Sequence, residues 1–330
     1  MENMSKINTN LVLLGVVEME HFWYLYVTLA IIIYVVTTIL SSMIVYIVWS
    51  EETLHEPMYI FIANLVVNVM FGNSTVLPKI VIDLLFGFHT ISLPGCLIQA
   101  FCFQSFSTLE LFTFTVMALD RFLAVGHPLR YPTLMTNEKA FWILFSVFVF
   151  VLLGSCITVG LTAKLSMCGV YINNVYCETM SLLRLACGDT TINNIFGTVW
   201  TTTMVIGCVF VVIYSYIGTF IVCLKISAEA YQKAIHTLVT HIITFSTFMA
   251  ATLFVTFRYR LGIGPLSTVA HVVISISGLT VSVIFDPLVY GIRTEALRKK
   301  IIVIGKKIIY EGNCHNKITV HEHKSNNQTY

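Results

Sequence analysis

Formal charge is scarce in this chain. Only 11% of its 330 residues are Asp, Glu, Lys or Arg, while 57% are hydrophobic. Soluble domains carry roughly 25% charged residues, because a folded surface must be wetted. The shortage excludes an ordinary water-soluble globular protein. The 19 basic and 17 acidic residues leave a net charge of +2, too little to hold nucleic acid, whose binding rests on neutralising many phosphates. Long charge runs, low-complexity tracts and internal repeats are missing. The signatures of common catalysts are missing too: no Walker loop, no His-Glu-x-x-His, no Gly-x-Ser-x-Gly and no Cys/His metal spacing. His236 and His241 sit slightly off one helical face and make a poor metal pair. No enzyme, cofactor or resident metal is expected. Met1–Glu20 lacks a basic start and a small-residue cleavage site after Leu11–Val17, so the first apolar run acts as an uncleaved insertion signal.

Long apolar runs are what the chain does have. Phe22–Trp49 and Pro57–Pro78 carry no formal charge, and the second run resumes past Lys79 to Ile82. Cys96–Leu119 contains only Glu110. Ala140–Ala163, Ile195–Leu224, Ala234–Phe257 and Leu261–Phe285 are free of Asp, Glu, Lys and Arg. Each reaches the roughly 20 residues a spanning helix needs, and in lipid only a helix or closed barrel satisfies its own backbone. The expected fold is an all-α membrane protein, a seven-transmembrane helix bundle with a short amphipathic C-terminal helix. Residues 1–21 form an extracellular N-terminus, 22–291 the bundle, 292–310 the amphipathic cytoplasmic helix and 311–330 a disordered tail.

About thirteen of the 19 Lys and Arg residues fall on one side of these spans: Arg121, Arg130, Lys139, Lys225, Lys233 and the eight from Arg293 onward. That side is expected to be cytoplasmic, with the N-terminus outside. The first inner loop, with Glu51, Glu52 and Glu56, runs against the trend, but acidic residues weigh little in the rule. Past Arg293, Leu297, Ile301, Ile304 and Ile308 share one face, with Arg298, Lys299, Lys300, Lys306 and Lys307 elsewhere, a pattern suited to an anionic inner leaflet. Among the nine cysteines, Cys96, Cys168, Cys177 and Cys187 fall outside, where disulfides form; spacing leaves three pairings open. Cys102, Cys156, Cys208 and Cys223 lie within spans, and Cys314 in the tail. Of three Asn-x-Ser/Thr sites, Asn73 lies in a span and Asn327 in the tail, leaving Asn3 as the glycosylation candidate.

Several segments carry a family likeness. Met117-Ala-Leu-Asp-Arg-Phe-Leu-Ala-Val-Gly-His-Pro-Leu-Arg-Tyr131 closes the third span. Pro57-Met-Tyr-Ile-Phe-Ile-Ala-Asn64 opens the second and Pro78-Lys79 closes it. Ser215-Tyr216 sits late in the fifth, Lys233-Ala-Ile-His-Thr-Leu-Val-Thr-His241 opens the sixth, and Asp286-Pro-Leu-Val-Tyr290 ends the seventh. The outer loop reads Cys168…Tyr176-Cys177-Glu178…Leu185-Ala-Cys187-Gly-Asp189. In this order and at these positions, the set resembles the odorant-receptor branch of the rhodopsin-like (class A) G-protein-coupled receptors, with helices two and six worded most like the fish receptors.

That resemblance implies a receptor for a small-molecule odorant in the plasma membrane, multi-pass, coupled to a heterotrimeric G protein of the stimulatory type. It implies disulfides Cys96–Cys177 and Cys168–Cys187, with the tethered loop as a lid. It makes Asp120, Arg121, Tyr216, His241, Asp286, Pro287 and Tyr290 the switch. Asp120 is expected to hold Arg121 through a charge-assisted bond until the sixth helix swings out, after which Tyr216 and Tyr290 bond across the cleft. Phe122 stands where the broader superfamily often has Tyr, with little effect expected. The face formed by Phe103, Gln104, Ser107 and Thr108 is expected to line the ligand pocket. Phe103 stands where amine receptors carry Asp, which argues against an amine. Arg258 and Arg260 end the sixth span outside. Arg260 matches a position of some receptors for acidic odorants, and suits an acidic, water-soluble ligand.

Glu110 is costly in mid-span and is expected to face the bundle interior. Its partner by the family pattern would be an acid in the second helix, but Val69 stands there, with Asn68 beside it, so Asp286 is the expected partner. The pair would hold a shared proton or a sodium ion. Two other readings fit less. A class A receptor for a peptide or metabolite meets the outer-loop cysteines as an objection. A secondary transporter would show inverted repeats and broken helices with paired charges.

Overall fold

The structure is a computed structural model that describes residues 10–224, 228–260, 283–292, 294 and 296–303. Asn3, most of the seventh expected span, the side chains of Arg258 and Arg260, and the tail with Cys314 and Asn327 lie outside the described residues.

The chain opens with β1 (Asn10–Leu13), a short α1 (Leu14–Met19), a 3₁₀ turn (Glu20–Phe22) and α2 (Trp23–Ser50). Next come α3 (Pro57–Phe86), β2 (Thr90–Ser92) and α4 (Leu93–Gly126), then α5 (Tyr131–Leu134), α6 (Asn137–Ala163), β3 (Tyr171–Ile172) and α7 (Thr179–Leu183). α8 (Thr191–Cys223) and α9 (Ala228–Arg260) follow, with α10 (Val283–Ile292) and α11 (residues 296–303) at the end. Local chemistry sets the boundaries. Pro57 starts α3 where no backbone donor is needed, and Gly87, at φ 66°, ends it in the left-handed cap that favours glycine. Ser92 and Thr136 cap α4 and α6 by accepting from Gly95 N (3.3 Å) and Lys139 N (3.2 Å).

Four helical segments among the described residues are long and apolar enough to cross a membrane, including Pro57–Phe86 and Asn137–Ala163. α4 is more polar for a physical reason. It packs against α3, α6, α8 and α9, so its polar side chains turn inward: Gln99, Ser105, Glu110, Thr113 and Asp120 are all buried. The helices around it show lipid the reverse face, with Ile32, Leu153 and Ile206 exposed.

Aromatic rings seated on glycines draw the helices together. A Cβ on Gly72 would meet the Phe106 ring at 2.5 Å, one on Gly154 the Trp200 indole at 2.1 Å, and one on Gly218 the Phe122 ring at 2.4 Å. Small residues at such crossings permit close backbone approach. Phe122 uses its notch to lock the inner end of α4 onto α8, with Tyr214 edge-on at 5.7 Å.

The outer surface adds a small sheet that helical periodicity gave no hint of. Its order is β2-β1-β3, antiparallel between β1 and β2 and parallel between β1 and β3. Leu11, Leu13 and Val16 are fully buried under it, and Gly15 packs on Asn174 so tightly that a Cβ would meet backbone at 2.7 Å. The segment before the first span is therefore part of the cap. Lys79, paired with Asp83 within α3, donates to Thr90 O (3.2 Å) and so fastens β2 to that helix, and His89 Nε2 meets Glu20 Oε1 at 2.8 Å. At the opposite end, Glu51 receives Lys300 of α11 at 2.6 Å. The acidic first inner loop thus lies against the basic C-terminal helix.

Candidate functional site

α4 carries a candidate site at each end. At its outer end Cys96 is bonded to Cys177, and Cys168 to Cys187, each with Cα atoms 5.3 Å apart. The first bond lays the loop across α4, where Cys177 N donates to Gln99 Oε1 at 2.8 Å and the Tyr176 ring tilts over Phe103 at 4.5 Å. Beneath this lid is a cavity of ≈ 230 Å³. Phe103, Gln104, Ser107 and Thr108 all line it. So do residues that sequence reasoning did not single out: Glu178 and Thr179 of the loop, Asn193 and Trp200 of α8, and Phe248 and Thr252 of α9. The signal for the first two was present, since they directly follow Cys177. Those of α8 and α9 share apolar runs with lipid-facing neighbours, and nothing in their spacing sets them apart. Among the described residues the wall holds one carboxylate, Glu178, and no Lys, Arg or His. The Arg260 side chain is outside the described residues. On the lid, just before α8, Asp189 accepts from Thr191 N and Oγ1, which holds its carboxyl below the usual range.

One helix length inward, Asp120 is buried and its Oδ1 accepts from the Tyr131 hydroxyl at 2.8 Å. This corrects the expectation that Asp120 holds Arg121. Neighbours along a helix do not face each other, and the inner-loop turn delivers Tyr131 to the carboxylate instead. Burial and the adjacent Asp120 carboxylate push the Tyr131 phenol up from its ordinary value. Arg121 is within electrostatic reach of Asp120, Tyr131, Tyr290 and Tyr59, yet its buried Nη2 has no hydrogen-bond partner among the described residues. Nor do Tyr216 and Tyr290 bond to each other. The Tyr216 hydroxyl bonds Nδ1 of His241, tying α8 to α9, and the Tyr290 hydroxyl bonds Thr244 Oγ1 at 3.2 Å, tying α9 to α10.

Midway between these ends, Glu110 and Asp286 are fully buried, with their carboxyl groups within hydrogen-bonding reach of each other. Among the described residues no donor reaches either Glu110 oxygen or Asp286 Oδ2. Pro287 is buried beside them. Asn68 is engaged elsewhere, donating to Phe106 O at 3.0 Å.

Comparison with known proteins decides the family. The olfactory receptor family model matches residues 30–307. The chain belongs to the olfactory receptor family. Olfactory receptor 5AP2 of Mus musculus is 32% identical over 304 residues, 92% of this chain and 94% of its own length. Its namesake in Homo sapiens is 30% identical with the same coverage. Olfactory receptor 8B3 of Homo sapiens is 29% identical over 92% of this chain and 97% of its own length. The chain is thus an odorant receptor, a seven-transmembrane G-protein-coupled protein of the plasma membrane that takes small-molecule ligands and is not an enzyme.

Proposed function

We propose that the receptor binds a small, acidic, water-soluble odorant in the cavity beside α4 and signals through a stimulatory, olfactory-type G protein. The observation that carries the reading is the placement on one helix of a lidded cavity and a buried guanidinium whose Nη2 lacks a partner among the described residues. Phe103, Gln104, Ser107 and Thr108 form the α4 wall, and Arg260, about two turns outward of Thr252 on α9, supplies the charge for an anion. A ligand that favours an outward position of α9 breaks the Tyr216–His241 and Tyr290–Thr244 bonds and exposes Arg121 to a partner. Leu129, 96% exposed on the inner loop, is a ready apolar anchor for that partner.

Glu110 and Asp286 share a proton or hold a sodium ion at rest, because two buried negative charges without donors need compensation. The N-terminus is extracellular, with Asn3 glycosylated, and the C-terminus cytoplasmic. The bundle takes residues 22–291, the surface helix 292–310 and the tail 311–330. The test is an odorant screen in cells reporting cyclic AMP, with Arg121→Ala at matched surface level as the silent control. Organic acids are expected to activate the wild type and to lose potency in Arg260→Ala. Equal potency of every active acid on both proteins defeats the acid reading, and signalling from Arg121→Ala defeats the switch.

A further inference from the structure

The polar groups on the cavity wall are unevenly satisfied. Gln104 Oε1 accepts from the Thr179 hydroxyl at 3.1 Å, a bond that joins α4 to the lid helix α7. It occupies the carbonyl end of the amide and leaves the NH₂ end without a partner among the described residues, on a residue that lines the cavity. The other wall amides are engaged through their nitrogens: Asn193 donates to Thr162 Oγ1 at 3.5 Å, and Asn194 to Thr190 Oγ1 at 3.0 Å. Three wall hydroxyls are spent on their own helices: Thr108 on Gln104 O, Thr158 on Gly154 O and Thr162 on Thr158 O, each at 2.9 Å. Glu178 Oε1 is taken by Asn174 (2.8 Å) and Ser181 (3.2 Å). Ser107, one turn inward of Gln104 on the same face, makes no side-chain hydrogen bond among the described residues.

We infer that Gln104, oriented by Thr179, is the specificity-determining donor of this cavity, and that it selects compact ligands carrying a hydrogen-bond-accepting carbonyl oxygen. The inference rests on the odorant-cavity reading above. An apolar cavity of about 150 Å³ takes benzene, so ≈ 230 Å³ takes a molecule on the order of ten heavy atoms. Such a ligand buries most of its surface and closes the cavity to water. A ligand without an acceptor then leaves the amide hydrogens unpaired in an apolar surrounding, a penalty that falls on the wrong ligand only. Ser107 is placed to complete the contact, as donor to the same oxygen or acceptor from a neighbouring hydroxyl. The carbonyl belongs either to a neutral ketone or ester or to a carboxylate, and Gln104 serves both.

The test is a dose–response panel of one carbon skeleton ending as ketone, carboxylic acid, amine or hydrocarbon. It is run on the wild type, Gln104→Met, Gln104→Glu and Thr179→Val at matched surface levels, with Arg121→Ala as blank. In the wild type the oxygen acceptors are expected to outrank the hydrocarbon and amine by about tenfold. Gln104→Met flattens that ranking. Gln104→Glu, which still accepts from Thr179 but turns a carboxyl oxygen to the ligand, moves preference toward the amine. Thr179→Val, which leaves Gln104 whole but unaimed, loses part of the preference. The better of ketone and acid in the wild type identifies the source of the carbonyl. An unchanged ranking in both Gln104 variants overturns the inference while leaving the odorant cavity standing. Failure of every compound to exceed the blank overturns the cavity reading itself.

Discussion

Gly154 faces Trp200 so closely that a Cβ there would meet the indole Cζ2 at 2.1 Å. Carbon atoms in van der Waals contact lie about 3.5–4.0 Å apart, so Gly154→Ala forces the ring away. Phe150, with its ring centroid at 5.1 Å, and Phe196, stacked at 6.2 Å, flank the indole. The open direction is the cavity, whose wall Trp200 already forms. Overpacking of this kind costs about 1–3 kcal/mol, and for a bundle of this size each kcal/mol moves Tm by about 2–4 °C. Purified receptor in lipid nanodiscs is therefore expected to melt about 2–12 °C lower in Gly154→Ala, and any agonist of the wild type to lose potency because the cavity has shrunk. Trp200→Phe in the same chain removes the clashing benzo ring and is expected to recover most of the Tm. A single variant that melts within about 1 °C of wild type, or a double variant no better than the single, refutes the seating of this ring and the cavity boundary drawn from it.

Three further outcomes follow from other contacts. Glu110→Gln supplies an amide donor to Asp286 where none exists; it is expected to stabilise the receptor by about 1 kcal/mol and to erase any effect of sodium on signalling, and unchanged Tm and sodium response would remove the pair's regulatory role. Tyr131→Phe strips the buried Asp120 carboxylate of its hydrogen-bond donor and is expected to cost about 1–3 kcal/mol, read as a lower Tm; an unchanged Tm contradicts this. Replacing Cys168 and Cys187 together with Ser removes a bridge within the lid and is expected to cost about 2–4 kcal/mol, read as a lower Tm and a weaker dose–response; a thermally silent double variant means that the bridge does not hold the lid.

The bundle was legible from the sequence because lipid is a demanding solvent. Runs such as Ala140–Ala163 have no other stable form, and the structure places a helix over each run its described residues cover. The α4 face was legible for a related reason: Phe103, Gln104, Ser107 and Thr108 repeat at helical spacing on the one span rich in polar residues. The cap was not. β1 has four residues and β3 only two, too few for a period to register, and their pairing joins segments far apart in the chain. The Asp120 contact was misread because adjacency in sequence was taken for contact in space. Its partner, Tyr131, arrives through a turn after Gly126 that spacing does not reveal. The acidic loop at Glu51 looked like an exception to the charge rule until α11 placed Lys300 against it.

The central claim is that a ligand in the outer cavity moves the inner end of α9 away from α4. The most direct measurement is the distance between spin labels carried by unnatural amino acids at Lys139, exposed at the inner end of α6, and Gln232, exposed on α9, with and without an agonist. The account predicts that agonist shifts the distribution to distances longer by more than about 2 Å, and that Gln104→Met requires more of a carbonyl agonist to do so. A distribution that stays in place while cyclic AMP rises would contradict it.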